Sequence, residues 1–197
     1  GVLAVDENGD ADPGLVAAIT AAGLLPSPSH ERIRNVLVSP LTGIAGGLAD
    51  LRPLAADLDE MLCGTPELSR LSGRFLFGLD DGRGDLSDQT VDLGVTALDR
   101  TTGRLRIGAW WGPRLALADA AAALTELALH FLDLSGNAWR VGDLENGGRE
   151  LLPPGRSSEP VVAQDVPQPV GLVDRDDGAQ AAVAAVPLGR LDPSQLV

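Results

Sequence analysis

"GRFLFGLDDGRGDLSDQTVDLGVTALDRTTGRLRIG", residues 73–108, decides how this chain folds. Residues 74–79 form an apolar run that breaks into acids and glycines. Two more runs follow, 91–98 ("VDLGVTAL") and 104–109, joined by "DRTTG". A five-residue connection that contains glycine between two β-branched runs reads as a hairpin, and we expect all three runs to form an antiparallel meander. "DDGRGD" between the first two supplies the glycines that a tight turn needs at positive φ. Arg83-Gly84-Asp85 spells an adhesion tripeptide, but nothing in the chain supports an extracellular setting, so it reads as part of that turn.

On the N-terminal side, Asp12-Pro13 reads as an N-cap and first helical residue. Leu15, Val16, Ile19 and Leu24 make the stripe and Gly23 the stop of a helix over about 13–23. "RNVLVSP" (34–40) is a buried strand ended by Pro40, and a helix over about 53–62 turns Leu54, Leu58, Met61 and Leu62 inward. On the C-terminal side, the longest helix, about 116–133, buries Leu117, Ala120, Leu124, Leu127 and Phe131. The order helix, strand, helix, meander, helix is an α+β pattern. From Glu145 to Pro169 glycine, proline, serine and charge dominate, which marks a linker. Beyond it come two short strands around Asp176-Asp177-Gly178 and a helix start near Asp192-Pro193. A domain rarely ends on a first helical turn, so we expect the chain to be a segment of a longer protein.

Composition removes several function classes. The net charge is −13, from 15 basic residues, all arginine, against 28 acidic ones. A field of that sign repels phosphate backbones and anionic lipid, so neither nucleic acid nor a membrane is expected as partner. No apolar run approaches the roughly 18 residues of a spanning helix, and the start lacks a signal peptide's regions. We expect a cytoplasmic protein. Cys63 is the single cysteine, so the chain alone makes no disulfide and ligates no cluster. It ends an apolar helix before Gly64, where the helix dipole disfavours a thiolate, and reads as a buried structural thiol.

Four groups of residues are candidate sites on their chemistry. Asp6, Asn8, Asp10 and Asp12 alternate as in a calcium loop, but Ala11 and Ala17 stand where the pattern needs glycine and the closing glutamate. Glu126 and His130, four apart on a helix, lack a third ligand and read as a surface pair. Trp110 and Trp111 read as core or interface residues, or as a surface for a planar ring. Arg34 precedes the strand at 36–38 and Arg74 begins the run at 75–77, so both guanidiniums project from strand ends toward one crevice. Paired arginines hold carboxylates bidentately.

At "HERIRNVLVSPLTG" (30–43) and "LSGRFLFGLDDGRGD" (71–85) the chain resembles the nitrite and sulfite reductase superfamily, and within it the precorrin-3B synthase group of aerobic cobalamin biosynthesis. Arg34-Asn35-Val36 matches the Arg-Asn-Val strand of the reductases. Arg74-Phe75-Leu76 matches their Arg-Lys-Phe-Lys strand in part: Arg74 takes the place of the first lysine and Leu76 of the second. Leu76 cannot neutralise bound sulfite or nitrite, which favours a large polycarboxylate tetrapyrrole as substrate.

The resemblance implies a mixed sheet with helices over 32–150, preceded by a remnant (1–31) of a ferredoxin-like half-domain. A linker (151–169) and the start of a second such half (170–197) would follow. It implies that Arg34, Asn35 and Arg74 bind the tetrapyrrole. The whole family member would be a monooxygenase that hydroxylates and lactonises precorrin-3A, with a 4Fe–4S cluster and iron or sirohaem. The cluster cysteines of that family lie in its second half, the missing partner of this segment, so the segment alone holds no cofactor and is expected to be inactive. The superfamily's Thr-Ser-Arg arm is absent from Gly1–Asp12, and "IGAWWGP" (107–113) departs from its tandem glycines. The alternatives are half of an assimilatory sulfite or nitrite reductase, and a non-catalytic tetrapyrrole-binding or scaffold module.

Overall fold

Alternation of large apolar residues builds the centre of the molecule. In the computed structural model, which describes residues 13–21, 35–153, 159–162 and 170–184, the chain is α+β. Its elements are α1 (Pro13–Ala21), β1 (Val36–Val38), α2 (Arg52–Gly64), β2 (Phe77–Asp80), β3 (Leu93–Ala97), β4 (Thr102–Ile107), β5 (Trp110–Ala116), α3 (Ala120–Leu134), β6 (Gly171–Asp174) and β7 (Gln180–Val183). The first five strands form one sheet in chain order, and β6 and β7 form a separate antiparallel hairpin around Asp176-Asp177-Gly178, as the sequence predicts.

The sheet is mixed. β1, β2 and β3 run parallel, with Val36 opposite Phe77 and Phe77 opposite Leu93, while β3, β4 and β5 are antiparallel. The expected meander is therefore corrected at its first step: β2 and β3 are joined by a crossover, not by a hairpin turn. Arg106, which points away from Leu105 and Ile107, donates to the carbonyls of Leu86 (2.9 Å) and Gln89 (2.6 Å). The crossover thus lies over the sheet face opposite those two core side chains. Gly78 and Gly94 leave room for it, since a Cβ on Gly78 would stand 2.7 Å from Val91.

The other face carries the core. Leu54, Leu58 and Leu62 of α2 and Leu124, Ala128 and Phe131 of α3 pack on Phe77, Leu79, Leu93, Val95, Leu105 and Ile107. Phe75 lies between, its ring 5.2 Å from Phe77 and 5.0 Å from Phe131. Each such buried side chain contributes about 1.5–3 kcal/mol by leaving water. Met61, expected inward, is 39 % exposed: it lies at the border of the stripe at 54, 58 and 62, where its sulfur accepts from the Thr125 hydroxyl of α3 (3.8 Å). Cys63 closes α2 as expected but is only half-buried.

A strand unassigned in the sequence, β5, follows a two-residue turn in which Gly108 takes φ +55°. Pro113 falls at a register shift opposite Arg104–Arg106, a bulge where a missing N–H costs nothing. Consequently α3 begins at Ala120, later than expected. On the outer edge of β5, Trp111 N–H donates to Glu159 (2.9 Å) and Val161 N–H to Ala109 (2.8 Å), so residues 159–161 extend the sheet.

Candidate functional site

The two ends of the parallel pair β1–β2 carry the polar chemistry of the molecule. At the C-terminal end, Ser39 follows β1 and Asp80 closes β2. Asp80, Asp81 and Asp85 are all buried. Asp80 accepts from the N–H groups of Gly82 (2.8 Å) and Gly84 (3.0 Å), so it shapes the turn. Gly82 and Gly84 take φ +94° and +84°, which bears out the tight-turn reading of Arg83-Gly84-Asp85. The Ser39 hydroxyl accepts from Asp81 N–H (3.1 Å) and donates to Asp85 (2.6 Å). Arg83 grips Asp81 through Nε (2.9 Å) and an NH2 group (2.7 Å) and also donates to the Ala45 carbonyl (2.8 Å).

Asp80, Asp81 and Asp85 each offer an oxygen within 4.8 Å of the others, a hard-donor set of the kind that binds calcium or magnesium. Here the guanidinium of Arg83 already supplies the countercharge, 3.7 Å from Asp85 as well. Burial pushes the Asp85 pKa up; the Ser39 hydrogen bond and Arg83 oppose the shift, and repulsion from Asp80 and Asp81 adds to it. Gly47 seals the corner, since a Cβ there would stand 2.4 Å from Asp81 Oδ2. This end is a closed knot in which three buried carboxylates gather around one guanidinium.

The N-terminal end is different. Asn35, just before β1, donates from Nδ2 to the carbonyls of Gly73 (2.7 Å) and Phe75 (3.3 Å). It thereby grips the turn that carries Arg74. Arg74 does not begin β2, as expected, but sits in that turn: its N–H donates to Ser72 Oγ (3.1 Å) and Phe75 N–H to the Ser72 carbonyl (2.9 Å), so the strand starts only at Phe77. The exposed guanidinium of Arg74 lies 4.9 Å from the centroid of Trp139. Among the described residues it makes no ion pair. Arg34 lies outside the described residues, as do Asp6, Asn8, Asp10 and Asp12.

Beside this turn is a depression of about 490 Å³. Sequence reasoning missed two of its residues, Arg70 and Trp139. The available signals were the Arg-x-x-x-Arg spacing of 70 and 74 and a lone tryptophan in the polar turn "SGNAWR" (135–140).

A second cleft of about 600 Å³ lies under the β2–β3 crossover and includes Trp110, Arg106, Arg140 and Asp92. Its cations are spoken for. Arg140 pairs with buried Asp92 (3.0 Å), which also accepts from Val141 N–H (2.7 Å) and Leu76 N–H (2.8 Å). Arg106 is held by carbonyls, and burial pulls its pKa down against Asp80 and Asp88. Trp110 and Trp111 are half-buried, each under an arginine, Arg149 at 4.7 Å and Arg104 at 5.3 Å. Glu126 and His130 are exposed on α3 beside a shallow apolar groove of about 330 Å³, and among the described residues neither belongs to a ligand cluster.

The resemblance implies a 4Fe–4S cluster, which needs four thiolates. The chain's single, half-buried cysteine does not fit it. Among the described residues no helix is long and apolar enough to cross a membrane. No known protein family, curated protein or solved structure matches the chain.

Proposed function

We propose that this chain is the tetrapyrrole-facing segment of an oxidoreductase of the nitrite and sulfite reductase superfamily, closest in kind to precorrin-3B synthase. In that reading the whole protein is a monooxygenase of cobalamin biosynthesis acting on precorrin-3A, and this segment binds the substrate's carboxylates and is inactive alone. The cluster, and iron or sirohaem, would come with the second half of the polypeptide.

One observation carries the proposal. The two motifs behind the resemblance meet, because Asn35 of the first binds the carbonyls on either side of Arg74 of the second. β1 and β2 are parallel neighbours, so both motifs enter the sheet at the same end. Arg74 brings a positive charge that no carboxylate neutralises among the described residues of a chain with net charge −13. A polycarboxylate ring can take up that charge bidentately. Leu76 is half-buried beside it and offers none, which disfavours sulfite or nitrite and hence the reductase alternative.

Titrating the chain with sirohaem and following its visible absorption tests the reading. Saturable binding that is lost in Arg74→Ala and in Arg34→Ala is expected. Affinity unchanged in both variants would remove the assignment and leave a scaffold module as the better description.

A further inference from the structure

The depression beside the Arg74 turn has an unusual wall for so acidic a chain. Among its lining residues are Arg70, Ser72, Phe131, Ser135, Asn137 and Trp139, and no carboxylate is present. Acidic residues outnumber basic ones 28 to 15 in the whole chain. Among the described residues, Arg70 makes no ion pair, and neither does Arg74. Arg70 lines the concavity and Arg74 adjoins it through Trp139, so two guanidiniums without a carboxylate partner stand near one hollow and favour an anion, and their planar forks match a carboxylate better than a point charge would.

Trp139 supplies the second half of the recognition. It is 56 % exposed, the most exposed aromatic residue of the described chain, although Arg74 covers part of its ring. Its backbone is fixed, since Trp139 N–H donates to Asp143 Oδ2 (3.1 Å). The indole projects from this anchored backbone at the rim, and a planar ring stacked on it would recover apolar area now facing water. The Ser72 hydroxyl accepts Arg74 N–H and keeps its own proton free to donate to a ligand oxygen.

We propose that this depression binds an aromatic carboxylate, its ring against Trp139 and its carboxylate held by Arg70 and Arg74. The inference rests on the tetrapyrrole reading only in sharing Arg74; it adds Arg70 and Trp139, which no motif of the resemblance includes.

Calorimetric titration of the whole chain with benzene-1,2,4,5-tetracarboxylate, and in parallel with its saturated cyclohexane analogue, tests it. Saturable one-to-one binding is expected, with a preference for the aromatic acid. Arg70→Ala should weaken binding about tenfold, the worth of one charge-assisted hydrogen bond. Trp139→Leu should abolish the preference, and Trp139→Phe should restore part of it. Thermal unfolding of each variant, with Arg70→Gln as the gentler change, separates lost contacts from lost folding.

Equal affinity for the two acids, affinity unchanged in Arg70→Ala and Arg70→Gln, or tighter binding of inorganic phosphate would overturn the proposal. Should the aromatic acid bind through Arg70 while sirohaem does not bind, the site stands and the tetrapyrrole reading falls. If sirohaem binds through Arg74 while the affinity of the aromatic acid is unchanged in Arg70→Ala and Arg70→Gln, the site falls and the tetrapyrrole reading stands.

Discussion

The two ends of the β1–β2 pair hold arginines in opposite circumstances. At the C-terminal end Arg83 is 17 % exposed in its side chain and bound to Asp81, whose side chain is fully buried. At the N-terminal end Arg74 is exposed, leans on an indole and has no acidic partner among the described residues. The first arrangement spends its charge on holding the loop. The second leaves it for something else. "DDGRGD", with its adhesion letters and its cluster of acids, looks the more functional in sequence, yet its arginine is bound within the loop to Asp81 and Asp85. Burial and pairing, more than residue type, separate a binding charge from a structural one.

The largest effect should come from breaking the closed end. Asp81→Ala would leave the nearly buried Arg83 guanidinium with only the distant Asp85 carboxylate and the Ala45 carbonyl, and cost about 3 kcal/mol. Chemical denaturation measures it, and a loss below measurement error would mean that the knot holds nothing. Gly47→Ala should cost roughly 1–2 kcal/mol, because φ is +75° there. The Asp81 carboxylate 2.4 Å from the new Cβ adds to that. Replacing Gly46, where a Cβ meets nothing within 4 Å, gives the strain of positive φ alone. The difference between the two variants isolates the contact.

At the open end the expected stability effects are smaller. Asn35→Ala removes the two hydrogen bonds that fix the Arg74 turn and should cost about 1 kcal/mol. Faster amide exchange confined to residues 72–77 would accompany it; uniform exchange would show that the turn is held by other means.

The smallest effect tests the sign of the closed end's electrostatics. Burial raises the folded-state pKa of Asp85 above its ordinary value of 3.8. The folded state therefore keeps this proton to higher pH than the unfolded state does. Its contribution to stability is lost as pH rises from 3.8 through the raised folded value and is regained on acidification. Asp85→Asn should flatten that part of the stability profile and raise stability at neutral pH, since Asn can still accept the Ser39 hydroxyl. A lower unfolding midpoint at neutral pH would contradict the assignment.

Much of the fold could be read from hydrophobic spacing. Leu54, Leu58 and Leu62, and Leu124 and Phe131, announce the helix faces that cover the sheet. The β3–β4 hairpin follows from its turn, where Asp99 accepts from Thr101 and Thr102 N–H, both at 2.8 Å. The direction of β3 relative to β2 could not be read, because alternation is the same in parallel and antiparallel pairs. β5 hid behind Pro113, which the bulge accommodates. The burial of Asp80, Asp81 and Asp85 was hidden for another reason: charge reads as exposure until Ser39 and Arg83, distant or unremarkable in sequence, are seen to satisfy it. At the open end Asn35 and Arg74 were legible as motif residues, whereas Trp139 reaches Arg74 only through the turn after α3.

The sirohaem affinity of Arg74→Ala beside that of Asp85→Asn tests the contrast most directly. Binding should be lost in the first, with its unfolding midpoint unchanged, and kept in the second. Equal affinity in both variants and the unaltered chain, or loss in Asp85→Asn alone, would contradict it.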